Sequence, residues 1–346
     1  MSKRPTIADL AEAAGVSVST INRILNGSAK VRPPTLRRVH EAAEEVGFYG
    51  LGTIESRRRQ VRPRRKLGFL LQQSHREVYR MFGASIVAAA SRREDVEVEP
   101  LVNYVDRLSP ETIVERLVAL GRTADAIAVI AEDHPLIAHT IDDLKTQGVP
   151  VVAYITDQSA ASRAGYVGTD NWKLGRTAAW LIAQTTHGPG AVAVFIGSHR
   201  YQCQEISDAS FRSYIRENAP RLQVKDSVPT HEEPDNAYAL VKELLQEKET
   251  DLIGIYICGG GISGVLRALR EAPRERRDRI RLVCRDIGPE TRKGLVEGLI
   301  TAALCHPMER TSHQLIDTML DAIDQKDNGS ILQRSVPFEI ITPENV

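Results

Sequence analysis

PTIADLAEAAGVSVSTINRILNGSAKVRPPTLRRVHEAAEEVGF, residues 5–48, is the most strongly patterned stretch of this 346-residue chain. Thr6 can N-cap a helix in which Ile7, Leu10, Ala11 and Ala14 recur at helical spacing. Gly15 ends it, because a tight turn between helices needs a residue free to take positive φ. Ser17 can cap a second helix, VSTINRILN, that offers Val18, Ile21, Ile24 and Leu25 for packing and stops at Asn26-Gly27. A third helix follows Pro33-Pro34, with Leu36, Val39, Ala42, Ala43 and Val46 on one face and Gly47 as its stop. Two short helices across a glycine turn, braced by a third, form the arrangement that puts the second helix into a DNA major groove.

Charge agrees with that placement. The chain holds 45 Lys and Arg and 45 Asp and Glu, a formal net charge of zero. Residues 1–66 carry 14 basic and 6 acidic side chains, a net +8, which leaves −8 on the remainder. A basic head on an acidic body points to a head that meets a polyanion and a body that does not. Seven of the ten residues 57–66, RRRQVRPRRK, are basic, and Pro63 breaks regular structure there. The alternative for this run is a solvated linker.

The stretch 5–48 resembles the DNA-binding head of the LacI/GalR family of bacterial transcription regulators, down to the turn, the Asn-Gly and the final Gly-Phe. The resemblance implies an all-α helix-turn-helix N-terminal domain (1–49) and a basic hinge (50–66). It also implies an α/β two-lobe, periplasmic-binding-protein-like (type I) domain (67–346). The first lobe would cover 67–168 plus a C-terminal return near 308–327, and the second 169–306. The implied function is a cytoplasmic, dimeric, ligand-controlled regulator, probing a palindromic double-stranded DNA operator as a repressor. The alternatives are a solute-binding protein without a regulatory role, or a DNA binder that has lost its effector.

Within the head, Val18 and Ser19 open the recognition helix, where side chains reach base edges. Arg23, one turn on, has the geometry for guanine O6 and N7, and Asn22 lies between them. Thr6, Ser17, Thr20 and Asn26 are short side chains suited to phosphates, which position without specifying. The alternatives are packing for Val18 and a surface ion pair for Arg23. The hinge departs from the family. Gly50 and Leu51 stand where Pro and Asn are usual, and Arg57 stands where a Leu wedges into the minor groove. Arg is a poor wedge but can read a narrow groove electrostatically. Ile54, one turn earlier, is the candidate substitute.

The body alternates apolar strand runs with helical stretches, the rhythm of a parallel sheet covered by helices. KLGFLL, VEVEPLV, AIAVIA and VPVVAYI belong to the first lobe. AVAVFIG, LQVKDSV, LIGIYICGG, IRLVCRDIG and LITAALCH belong to the second. The last strand, SVPFEIIT (335–342), is placed near the hinge. Strand C-termini face the cleft in such sheets, and a cleft between lobes is the natural small-molecule site.

Matching positions put Arg76, Tyr79, Ser207, Asp286 and His306 at that site, the lobe crossing in GTDN adds Asp170, and Tyr201 is a compensating candidate. Tyr79 can stack on the apolar face of a sugar, or pack as a helix residue. Asp170 can accept two hydroxyls, or cap a helix. Asp286 matches a ligand-side acid, or pairs with Arg285. His306 matches a polar, ligand-facing position, or is a satisfied core histidine. Ser207 takes the place of a usual Arg, and Gly259-Gly260-Gly261 that of a usual Asn-Asp. Arg76, Arg200, Tyr201, Gln202 or Glu205 can compensate for these two lost anchors. The expected effector is a small sugar, polyol or sugar-derived metabolite.

No catalytic motif, cofactor fingerprint or metal-ligand spacing stands out. GGGISG lacks the spacing of a phosphate loop. The four cysteines, Cys203, Cys258, Cys284 and Cys305, have no C-x-x-C pair and read as reduced core thiols. No window is apolar enough for a membrane span, and MSKRPTIADL has no apolar export segment.

Overall fold

The structure, a computed structural model, describes residues 4–27, 31–60, 62–247, 251–325 and 330–346. Two compact units emerge, one of 1–65 with 91–99 and one of 66–90 with 100–346.

The first unit is built on α1 (Ile7–Ala13), α2 (Val18–Asn26), α3 (Pro33–Glu45) and α4 (Leu51–Gln60). Its local signals act as read. Thr6 forms a capping box with Asp9, and Ser17 Oγ accepts from Thr20 N at 3.2 Å. Gly15 and Gly27 take φ of 59° and 67°. Leu10, Ala14, Ile21, Ile24, Leu36, Val39, Ala43 and Phe48 close one small core. Ile54 of α4 is fully buried in that same core. It therefore holds the hinge helix to the head and is not an exposed wedge, which corrects the substitution expected from the sequence.

The second unit, with the ends of β1, α5 and β2 that fall in the first, makes up two α/β lobes. The first runs through β1 (Arg64–Gln72), α5 (Glu77–Ser91), β2 (Glu97–Val105), α6 (Pro110–Gly121), β3 (Ala126–Val129), α7 (Pro135–Thr146), β4 (Val151–Tyr154) and β5 (Gly165–Thr169). The chain then crosses to α8 (Asn171–Thr185), β6 (Gly190–Ile196), α9 (Gln202–Asn218), β7 (Leu222–Val224), β8 (Val228–Pro229) and α10 (Pro234–Gln246). It continues with β9 (Leu252–Ile257), α11 (Ile262–Glu271), α12 (Arg274–Arg277), β10 (Arg281–Arg285), α13 (Pro289–Val296) and β11 (Ala302–Cys305). A return helix, α14 (Met308–Asp324), precedes β12 (Leu332–Val336) and β13 (Glu339–Ile341).

The first sheet has the order β12-β5-β4-β3-β1-β2, and the second β13-β11-β10-β9-β6-β7, with β8 also on β6. β3, β4 and β9 are buried along their whole length. Parallel strands covered by helices on both faces need such continuous apolar runs. Each face of the second sheet has its own apolar core, one around Ile255 and Leu266 and the other around Ile182 and Tyr256. All four cysteines are buried and free.

Two strands are not as expected. SVPFEIIT is divided: Ser335 and Val336 end β12 beside β5, while Glu339–Ile341 pair antiparallel with β11 in the other lobe. Pro337, which has no N–H to extend a ladder, sits at the break. LQVKDSV is also split into β7 and β8. There the Arg212 guanidinium binds Lys225 O at 2.7 Å and Ser227 Oγ at 2.9 Å, taking backbone and side-chain partners that a continuous strand would turn elsewhere. Among the described residues, no helix is long and apolar enough to cross a membrane.

Candidate functional site

Helix α2 presents a clean division. Ile21 and Ile24 face the core, while Val18, Ser19, Asn22, Arg23 and Asn26 are exposed. Their spacing puts these five on one stripe of a helix. Val18 is 46% exposed, so the head core makes little use of its methyls. Arg23 Nη2 rests 3.3 Å from Ser19 Oγ, within the same stripe. Thr6 and Ser17 use their oxygens as caps, and Thr20 Oγ1 lies 2.9 Å from Ser17 Oγ. The guanidinium of Arg57, on α4, occupies the space that a Cβ on Gly27 would need. It thereby ties the hinge helix to the C-terminal end of α2, where a cation is favoured by the helix dipole. The side chains of Arg58 and Arg59, and residue 61, lie outside the described residues.

The second site is a cavity of about 490 Å³ lined by both lobes of the second unit. The first lobe contributes Arg76, Tyr79, Phe82 and Ile155. The second contributes Cys203, Gln204, Glu232, Cys258, the Gly259–Gly261 run, Arg285 and Asp286. Arg76 lies in the turn after β1, and its guanidinium is 5.2 Å from the Tyr79 ring centre. Tyr79 donates its hydroxyl to Gln72 Oε1 at 2.8 Å. Burial raises the pKa of that phenol despite the nearby Arg76 cation, so it stays a donor at neutral pH.

Asp286 follows β10 in the left-handed region, φ 59°. It accepts from His306 N at 3.0 Å and contacts His306 Nδ1 at 2.7 Å. Arg285 Nη2 reaches His306 Nε2 at 3.0 Å, and its Nη1 reaches Asn171 Oδ1 at 3.2 Å. Because a carboxylate only accepts, Nδ1 of the imidazole carries the proton in its contact with Asp286. Burial alone would raise the Asp286 pKa. His306, its hydrogen bonds and the Arg285 charge outweigh burial and hold the carboxyl well below the usual carboxylate range.

Four expected ligand residues are elsewhere. Asp170 N-caps α8, accepting from Lys173 N at 3.0 Å, and is not among the side chains lining the cavity. Its neighbour Asn171 is the one turned inward, towards Arg285. Ser207 is fully buried between α8 and α9, with Oγ 2.6 Å from Tyr256 Oη. The helices approach so closely there that a Cβ on Gly175 would strike the Ser207 carbonyl, which leaves no room for a ligand. Tyr201 is not among the side chains lining the cavity: its hydroxyl accepts from Gln72 Nε2 at 2.9 Å, a bridge from one lobe to the other. His306 is buried against the edge of Phe82, at 5.9 Å between ring centres. It orients Asp286 without lining the cavity.

The residue that sequence reading missed is Glu232. It is 5% exposed and brings a carboxylate to the cavity from the loop between β8 and α10. Its own neighbourhood in sequence gave no signal; the space left for it is made by glycines far along the chain. A Cβ on Gly260 would collide with Glu232 Oε2, and one on Gly197 with Oε1. Gly260 and Gly197 therefore make room for this carboxylate.

The chain thus carries a helix-turn-helix head and, in its other unit, two α/β lobes that line one cavity. Residues 82–327 match the periplasmic binding protein domain family, and residues 6–50 match the bacterial regulatory proteins of the lacI family. The chain belongs to the periplasmic binding protein domain family and carries a lacI-type head; it is a DNA-binding transcriptional regulator. It is 27% identical over 302 residues to the HTH-type transcriptional regulator GalR of Lacticaseibacillus casei, across 80% of this chain and 81% of that protein. Its head is 50% identical over 46 residues to the maltose regulon regulatory protein MalI of Escherichia coli (strain K12), across 13% and 14% of the two chains. In fold it resembles GanP, a glucose-galactose binding protein from Geobacillus stearothermophilus. That match has a TM-score of 0.73 at 18% identity, over 82% of this chain and 99% of that one.

Proposed function

We propose that the chain acts as a homodimeric repressor that binds an inverted-repeat operator and responds to a small sugar or polyol. The observation that carries this reading is the exposed stripe Val18, Ser19, Asn22, Arg23 and Asn26 on a helix whose other face is buried. One such helix reads only a few base pairs, so two-fold pairing of half-sites supplies the remaining specificity. The cavity supports a small effector. It combines aromatic rings, Tyr79 and Phe82, with donors and acceptors on both lobes. Its relatives, a GalR regulator, a maltose regulon regulator and a glucose-galactose binding protein, favour a carbohydrate.

A ligand that binds one lobe arrangement better than another shifts the balance between them. A coupling of about 1–3 kcal/mol is enough to change operator affinity some 5- to 150-fold. A thermal-shift screen of sugars, polyols and sugar acids on the full chain tests the effector class. A compound at 100 times its Kd adds about 2.7 kcal/mol to stability. The reading fails if no carbohydrate shifts the transition of the second unit while another metabolite class does.

A further inference from the structure

One ion pair joins the two walls of the cavity. Arg76 comes from the first lobe and Glu232 from the second, with Nη1 and Oε2 2.6 Å apart. The side chains are 21% and 5% exposed. Taking both charges out of water is costly unless the remaining donors and acceptors are also satisfied. Part of that demand is met inside the pair's surroundings: Gln204 Nε2 donates to the other Glu232 oxygen at 3.0 Å, and Arg76 Nη1 also reaches Gln73 Oε1 at 3.1 Å.

The backbone that delivers Glu232 is itself unusual. His231 and Glu232 are consecutive non-glycine residues at φ 53° and 63°. Side chains disfavour that region, and strain of this kind persists where the surroundings over-determine it, often at ligand clamps. Gly197 and Gly260 supply the matching space, since a side chain at either would displace the carboxylate. Strained loop, glycine seat and cross-lobe cation converge on one carboxylate.

We propose that Arg76 and Glu232 form a clasp that couples lobe closure to occupancy of the cavity, with Glu232 as the specificity-determining carboxylate. A ligand engages Glu232 through hydroxyl donors, in competition with Arg76. The clasp follows from geometry alone; the identity of the ligand rests on the carbohydrate reading above. The chemistry selects a neutral, donor-rich molecule. An anionic ligand meets Glu232 and Asp286, and a cationic one meets Arg76 and Arg285. A vicinal diol instead gives two O–H donors to a carboxylate, while its oxygens accept from Arg76 and its C–H face lies on Tyr79 or Phe82.

The test uses the full chain and the variants Glu232→Gln, Arg76→Gln and the double variant, with circular dichroism confirming that each folds. Hydrogen exchange is followed in segments 73–79 and 230–234 without added sugar. Each single substitution raises exchange in both segments on the order of tenfold, and the double variant exceeds neither by much, as coupled residues do. Unchanged exchange in the single variants, or strictly additive effects, overturns the clasp. Calorimetric titration with D-galactose, D-glucose, D-galacturonate and glucose 6-phosphate then tests selectivity. Neutral sugar binding that drops at least about tenfold in Glu232→Gln supports the assignment. Equal binding by that variant, or tighter binding of the acid or phosphate by the wild type, overturns it. If none of the four binds the wild type while a metabolite of another class does, the carbohydrate reading fails, and the clasp is decided by exchange alone.

Discussion

The DNA-reading head and the ligand cavity are built on opposite principles. The head is assembled from neighbours in sequence: Thr6 with Asp9, Ser17 with Thr20, Gly15 and Gly27 at the helix ends. The cavity is assembled from residues far apart in sequence. Arg76 and Glu232 are 156 positions apart, and Asn171 and Arg285 are 114 apart. Local encoding gives a small unit whose face is set by helix periodicity. Distant encoding gives a site whose contents depend on which loop reaches it and on which residues are small enough to make room.

That contrast predicts different ways of failing. The largest effect is expected from Leu10→Ala, which opens the small head core where Leu10 is fully buried. Such a truncation costs about 2–5 kcal/mol, a large share of what a small domain has. DNA binding is lost, while calorimetry shows the second unit melting as before. A single shifted transition for the whole chain would mean that the two units do not unfold separately.

Asp286→Asn probes the other construction. It removes a charged acceptor from His306, at about 1.5–3 kcal/mol, and acts on the second unit alone. Because the fold depresses the Asp286 pKa, its ionised form is the stabilising one. That contribution is present above the ordinary carboxylate range near pH 4 and is lost as pH falls below it. The melting temperatures of wild type and variant therefore converge on acidification. A constant gap from pH 7 to pH 3 would show that the charge is not what matters.

Legibility followed the same division. The caps, the glycine stops and the α2 face were readable because each depends on residues within one or two turns. The alternation of strands and helices was readable too, since buried parallel strands such as β3 and β9 are continuous apolar runs. Individual cavity residues were not. Ser207 sits at a position that usually faces ligand, yet the close approach of α8 at Gly175 consumes the space. Asp170 was readable both as a cap and as a ligand, and the structure uses it as a cap. Glu232 depends on two left-handed residues in succession, and nothing in HEEPDN announces them. Ile54 looked like a free apolar side chain in a basic segment, but the hinge helix turns it into the head core.

Arg23→Ala sharpens the reading of the head. It is expected to cost about 1–3 kcal/mol of operator affinity and to relax preference at one symmetric pair of bases. Equal weakening on every sequence would make Arg23 a phosphate contact instead. The smallest effect is expected from Arg57→Gln. If its guanidinium also serves a phosphate, the slope of log K against log salt falls by about 0.9, with base preference kept. An unchanged slope with reduced affinity would leave Arg57 as a strut between α4 and the end of α2.

The most direct test of the whole account is selection of duplexes from a random DNA library by the full chain, with the enriched pool sequenced. The account predicts one enriched inverted repeat, whose half-sites are related by two-fold symmetry and whose preference at the Arg23 position is lost in Arg23→Ala. Enrichment of no sequence, or of a single unrepeated site, would contradict it.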